Sequence, residues 1–184
     1  MKYQLRDYQK KASDAAVMCF KMKSGRNGLL VLPTGAGKSL IIADIAARLE
    51  EPLIVFQPNK EILEQNFAKL QTYGIWDCSI YSASVGRKEI SRITFATIGS
   101  VIRHMKDFQH FKNILIDECH LVKPSDGMYK RFFEQAERRI VGLTATPYRL
   151  YSCMNGSMLK FLTRTRPRVF SQAVSYTHLT LPTS

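Results

Sequence analysis

The sequence predicts an α/β fold in three layers, a central and mostly parallel sheet flanked by helices on both faces. Two observations carry that prediction. Short apolar runs with β character, at residues 29–32, 53–56, 93–96, 114–116 and 140–143, alternate with stretches of helical periodicity. The residues fitted for chemistry stand at one end of these runs: the loop 33–39, Pro58, Asp117-Glu118 and Thr144 to Thr146 all fall at strand ends. In open parallel sheets, ligands bind at the carboxyl ends of the strands, so four separate strands point their ends at one edge.

Each element has its own warrant. Ala12, Ala15, Ala16, Cys19 and Phe20 recur at helical spacing, which predicts an amphipathic helix over about 7–22, broken by Ser24-Gly25-Arg26-Asn27-Gly28. The strand 29–32 and its loop follow, then a helix to about Leu49. A second buried strand, 53–56, is closed by Pro58. Ile62, Leu63, Phe67 and Leu70 share one face of a helix over 61–73. Short strands at 78–81 and 93–96 come next, then a short helix around 101–105. The apolar run 114–116 ends in Asp117-Glu118-Cys119-His120. A helix over 128–138 leads to the last clear strand, 140–143.

The bulk numbers set limits. The 184 residues make room for one domain with a real core, and 45% apolar with 23% charged residues describes an ordinary globular protein. The net charge of +12 is less ordinary and invites a polyanionic partner, though a solvated basic surface has the same signature. All 15 acidic residues lie at or before Glu137, while Lys160, Arg164, Arg166 and Arg168 come later, so residues 1–150 carry +8. Cys19, Cys78, Cys119 and Cys153 stand far apart with no C-x-x-C pair. That argues against a zinc site or a disulfide framework and fits reduced thiols in the cytoplasm. The N-terminus lacks a signal-peptide core, and no run is long enough to span a membrane.

The stretch Pro33-Thr34-Gly35-Ala36-Gly37-Lys38-Ser39 links a strand to a helix, which is how a phosphate cradle is built. Backbone N–H groups of the loop and the helix N-terminus point at one place, and the helix dipole favours negative charge there. Gly35 and Gly37 let the backbone wrap an anion, Lys38 can reach the β- and γ-phosphates, and Ser39 can hold Mg²⁺. The pattern G-x-x-x-x-G-K-[ST] is met except at its first position, Leu32. Asp117 and Glu118 then fit the other half of a phosphoryl-transfer site. Asp117 would hold Mg²⁺ and Glu118 would orient or deprotonate the attacking water.

Taken together, these motifs resemble the first RecA-like domain of superfamily 2 helicases and translocases. Leu5-Arg6-Asp7-Tyr8-Gln9 is similar to that family's adenine-reading element, and 33–39 to its motif I. Pro58 to Gln65 resembles motif Ia, Ala96-Thr97-Ile98-Gly99-Ser100 motif Ib, 117–120 motif II and 142–149 motif III. Where many members carry glutamine, this chain has Gly99. The likeness covers roughly residues 3–150, and six matches in the right order make it specific. Within the superfamily the strings look most like the RadD branch of bacterial DNA-repair enzymes, with phage relatives and restriction-type translocases as close rivals.

The resemblance implies ATP with Mg²⁺ as cofactor and DNA as partner, with RNA possible. It implies that Gln9 selects adenine and that Arg6 packs on or bonds near the base. Lys60, Thr97 and Ser100 would touch nucleic-acid phosphates. Thr144 and Thr146 would relay nucleotide state to nucleic-acid binding, and His120 would couple the site to a second domain. That second RecA-like domain, which supplies arginines to the transition state in the family, is expected to be missing: only about 35 residues follow Arg149. Residues 151–173 read as the start of an incomplete segment. Residues 174–184 resemble the translated end of a sequencing adapter and read as a non-native tail. A nucleotide- and nucleic-acid-binding module without turnover is the alternative to a helicase motor.

Overall fold

The computed structural model describes residues 4–22, 27–122, 127–153, 156–161 and 175–178. In chain order, α1 (Asp7–Lys21) leads into β1 (Gly28–Val31), α2 (Lys38–Arg48), β2 (Leu53–Phe56), α3 (Lys60–Thr72), β3 (Cys78–Ser82), β4 (Arg87–Lys88) and β5 (Ile93–Ala96). Then come α4 (Ile98–Val101), a 3-10 turn (Met105–Phe108), β6 (Asn113–Ile116), α5 (Met128–Phe133), β7 (Arg139–Thr144), a hairpin of β8 (Tyr148–Cys153) and β9 (Gly156–Phe161), and β10 (Ser175–His178). The main sheet has the order β10-β1-β7-β6-β2-β5-β3-β4. The six strands from β1 to β3 in that order run parallel, and β10 and β4 close the two edges antiparallel. The predicted three-layer α/β architecture is the observed one.

The continuously apolar strands follow from burial on both faces. Alternate residues of β1, β2, β6 and β7 point to opposite sides. Leu30, Leu53, Val55, Leu115 and Val141 pack with Ala12, Ala16 and Phe20 of α1, Ile41 and Ile45 of α2, and Leu63 and Phe67 of α3. Leu29, Val31, Ile54, Phe56, Ile114 and Ile140 face Val101, Phe108, Phe111 and Phe132 on the other side. Phe56 meets Tyr129 and Phe132 edge-on, with centroids 5.4 and 5.3 Å away, and truncating such a buried ring costs about 3–5 kcal/mol. Arg92 bonds the Leu49 carbonyl and donates to that of Ala46 at 3.4 Å, satisfying acceptors at the end of α2. No helix among the described residues is long and apolar enough to cross a membrane.

Two helices differ from the sequence expectation. The short one expected at 101–105 starts earlier, at Ile98, because Thr97 stands directly at the end of β5 and its carbonyl accepts from the Ser100 and Val101 amides. The helix expected to reach Arg138 stops at Phe133. Residues 132 and 138 would lie about 120° apart around a continuous helix. Instead the Arg138 guanidinium lies 3.9 Å from the Phe132 ring centroid and donates to the Phe111 carbonyl at 2.8 Å, so the chain leaves the helix to place both groups inward. The sequence also gave no sign of β4, a two-residue polar edge, nor of β8, β9 and β10.

Candidate active site

The loop after β1 is shaped by two left-handed glycines, Gly35 at φ +81° and Gly37 at φ +75°. Gly37 caps α2, its carbonyl accepting from the Leu40 and Ile41 amides at 2.9 and 3.2 Å. Lys38 and Ser39 are therefore the first helical residues, and no acidic side chain stands in that first turn. The end of α2 offers unfilled N–H groups and the positive pole of the helix. Pro33, Thr34 and Gly35 are exposed, and Ala36 is buried.

The loop is braced from behind by α1. The Ala36 carbonyl accepts from Gln9 Nε2 at 2.9 Å and from the Tyr8 hydroxyl at 3.2 Å. Gln9 Oε1 in turn accepts from the Arg6 amide at 2.9 Å. Gln9 is thus buried and engaged with the loop itself, keeping one amide hydrogen and one lone pair for other partners. Arg6 is exposed. A Cβ on Gly37 would come within 2.6 Å of Gln9 Nε2, so a side chain there would displace the amide that braces the loop, in addition to the demand of φ.

From the other side come the ends of β6 and β7. The Asp117 amide donates to the Phe56 carbonyl at 3.0 Å, extending the β6–β2 pairing and fixing the acid at the sheet edge. Glu118 has φ +47° and ψ +47°, a left-handed conformation that an L-residue holds only under constraint. Its amide donates to Asp117 Oδ1 at 3.0 Å, and its carboxylate is paired with Lys38 Nζ on one oxygen. The other oxygen lies 3.3 Å from His120 Nδ1, which is also 2.9 Å from Thr144 Oγ1. Thr144 Oγ1 accepts from the Thr146 amide at 3.0 Å. Burial pushes the Asp117 carboxyl above its ordinary value, against the opposing pull of Lys38.

One member of this network had not been singled out from the sequence. Asn66 of α3 accepts from Ser39 Oγ at 2.6 Å and donates to Asp117 Oδ2 at 3.3 Å and to Gln57 Oε1 at 3.2 Å. The signal was available: Asn66 is the polar residue on the otherwise apolar Leu63, Phe67 and Leu70 face. Ser39 and Asp117 together present hard oxygen donors, as a magnesium ion requires, and such ions need few protein ligands beside phosphate and water.

The structure therefore joins Lys38, Ser39, Asp117, Glu118, His120, Thr144 and Thr146 through Asn66 and direct contacts, with Gln9 behind the loop. It does not join Lys60, Thr97 and Ser100 to them. Lys60 is exposed at the start of α3. Thr97 and Ser100 bond each other at 3.0 Å, and the hydroxyl of buried Ser100 also accepts from the Ala83 amide at 2.9 Å. Ser100 is committed to holding the turn after β3. Among the described residues no cluster of three His, Cys, Asp or Glu side chains could hold a metal.

Comparison with known proteins identifies the family and the fold. The family described as "Type III restriction enzyme, res subunit" matches residues 2–149. A DNA 3'-5' translocase XPB2 of Sulfurisphaera tokodaii is 29% identical over 151 residues, covering 80% of this chain and 32% of that protein. A DNA 3'-5' helicase XPB of Mycobacterium tuberculosis is 29% identical over 154 residues, covering 78% and 27%. The chain thus spans about a third or less of these curated relatives. Among solved structures, the UvsW helicase of bacteriophage T4 superposes with a TM-score of 0.63 at 22% identity over 79% of this chain and 54% of that one. The SWI2/SNF2 ATPase core of Sulfolobus solfataricus, in complex with dsDNA, gives 0.65 at 21% identity over 80% and 33%. These two likenesses concern the fold.

Proposed function

The chain belongs to the type III restriction enzyme res-subunit family, and from that premise we propose that residues 1–150 form the ATP-binding, RecA-like domain of an ATP-dependent DNA helicase or translocase. The family uses nucleotide, and the single observation that supports ATP with Mg²⁺ at this site is the meeting of the loop lysine with Glu118 at one sheet edge. In this reading the α2 N-terminus and Lys38 hold the β- and γ-phosphates, and Ser39 and Asp117 hold the ion. Glu118 positions the attacking water and takes its proton. The ion, when bound, neutralises charge developing on the phosphoryl oxygens. His120, Thr144 and Thr146 form the hydrogen-bonded link through which occupancy of the site reaches the end of β7.

DNA is proposed because the two relatives are named for it and because a basic chain suits a polyanion. Lys60 is the residue best placed to meet a phosphate; Thr97 fits less well and Ser100 least, since its hydroxyl is already used. Full turnover on DNA is proposed to need a second nucleotide-facing domain, because a transition-state arginine is worth ~10³–10⁵ in rate where such fingers have been studied. The test is equilibrium binding of a fluorescent ATP analogue with Mg²⁺. The chain should saturate and Lys38→Ala should not, and equal affinity for both would overturn the assignment.

A further inference from the structure

We propose that Asn66 is a positioning residue for the metal-binding pair, setting the Ser39 hydroxyl and the Asp117 carboxylate in the arrangement a divalent cation needs. The inference rests on the ATP-Mg²⁺ reading above and adds a residue to it. Asn66 is 7% exposed, and two of its hydrogen bonds reach Ser39 and Asp117. Its Oδ1 accepts the one hydrogen of Ser39 Oγ at 2.6 Å, which turns the serine lone pairs away from Asn66 and leaves them available to a cation. Its two Nδ2 hydrogens go to Asp117 Oδ2 at 3.3 Å and Gln57 Oε1 at 3.2 Å.

A carboxamide is suited to this place because it accepts from a hydroxyl and donates to a carboxylate at once. An acid there would repel Asp117, a lysine would only donate, and a hydrocarbon would leave Ser39 and Asp117 unsupported. The Asp117 carboxylate, which accepts, sets which way round the Asn66 amide sits, and Gln57 adds a second acceptor on the same side. Gln57 follows β2, is 1% exposed, and turns its carbonyl oxygen to Asn66, while its Nε2 has no acceptor among the described residues. Partners one step behind a metal ligand typically change metal affinity ~10–100-fold when removed.

The experiment compares the affinity of a fluorescent ATP analogue with Mg²⁺ and with EDTA, in the whole chain, for wild type, Asn66→Ala and Asn66→Leu. Leucine keeps the fork of the asparagine side chain at a larger volume and alanine leaves it smaller, so a loss shared by both variants points to the missing hydrogen bonds rather than to packing. Both variants should lose the Mg²⁺-dependent gain in affinity by ~10-fold or more while binding in EDTA stays within about 2-fold. Direct Mn²⁺ binding followed by electron paramagnetic resonance should weaken in parallel. Equal losses with and without metal would reduce Asn66 to a structural role, and an unchanged metal dependence would also overturn the proposal. If wild type itself binds no nucleotide while folded, the ATP reading fails first and this inference falls with it.

Discussion

Lys38 Nζ and the carboxylate of Glu118, 80 positions apart in sequence, are each other's counter-ion. One opens α2 and the other follows β6, and both side chains keep some contact with solvent, 16% and 24%. The group suited to binding a phosphate is already engaged by the group suited to activating water. An incoming polyphosphate must therefore compete with Glu118 for the lysine.

Glu118→Gln should tighten binding of a non-hydrolysable ATP analogue. A partly exposed pair is worth up to about 1 kcal/mol, so the gain should be roughly 5-fold or less. Titration calorimetry measures it, and weaker binding would rule out the competition. In a longer protein with hydrolytic activity, the same change should lower turnover by ~10²–10⁴ while binding persists.

Gly35→Ala and Gly37→Ala separate two costs. Both force a left-handed alanine, about 1–2 kcal/mol each. A methyl at Gly35 meets open space, whereas at Gly37 it meets Gln9 Nε2 at 2.6 Å and threatens the bond to the Ala36 carbonyl. Gly37→Ala should be worse by a further ~1–3 kcal/mol in chemical denaturation. In a Gln9→Ala background the two glycine variants should become nearly equal, and a persisting gap would place the clash elsewhere.

The left-handed backbone of Glu118 predicts an inverted order of small substitutions. Glycine ordinarily destabilises relative to alanine through the unfolded chain. At φ +47° the alanine should be the worse of the two by ~1 kcal/mol, since both remove the same carboxylate and only glycine relieves the strain. Thermal unfolding of Glu118→Gly and Glu118→Ala decides this.

Arg138→Lys should cost ~1–3 kcal/mol in denaturant unfolding. Burial draws the arginine down to about 10, yet it remains a cation at neutral pH. Nη1 donates to the Phe111 and Phe108 carbonyls at 2.8 and 3.3 Å while the plane lies over Phe132. A lysine ammonium cannot stack and reach both carbonyls together. A change below about 0.5 kcal/mol would show that these contacts contribute little.

Much of the fold was legible because its determinants are local or periodic. The apolar runs at 53–56 and 93–96 match β2 and β5 to the residue, and the loop 33–39 declares itself by spacing alone. What escaped depends on the partner. β4 is two charged residues whose strand character exists through pairing with Tyr81 and Ser82. The early end of α5 depends on where Arg138 finds its carbonyls, a tertiary fact with no local trace. In the site, Lys38, Asp117 and Glu118 were readable from motif spacing. Asn66 was not read because it sits inside an amphipathic helix, where a single polar residue on the core face passes for an irregularity. That Gln9, expected to select adenine, also braces the loop through Ala36 was not readable, because the contact is set by the fold of α1 over residues far along the chain.

The pairing of β1 with β7 bears on how the molecule comes into being. The Leu32 amide donates to the Thr144 carbonyl at 2.8 Å, and at the other end of the strand Ile140 N meets Asn27 Oδ1 across 113 positions. During vectorial synthesis the glycine loop leaves the ribosome long before the strand that steadies it. Until that strand arrives, apolar β1 has no partner on either edge, since β7 and β10 both lie later in the chain, the non-local wait that slows parallel sheets. The glycine loop thus gains its full setting only once the distant strand β7 has arrived.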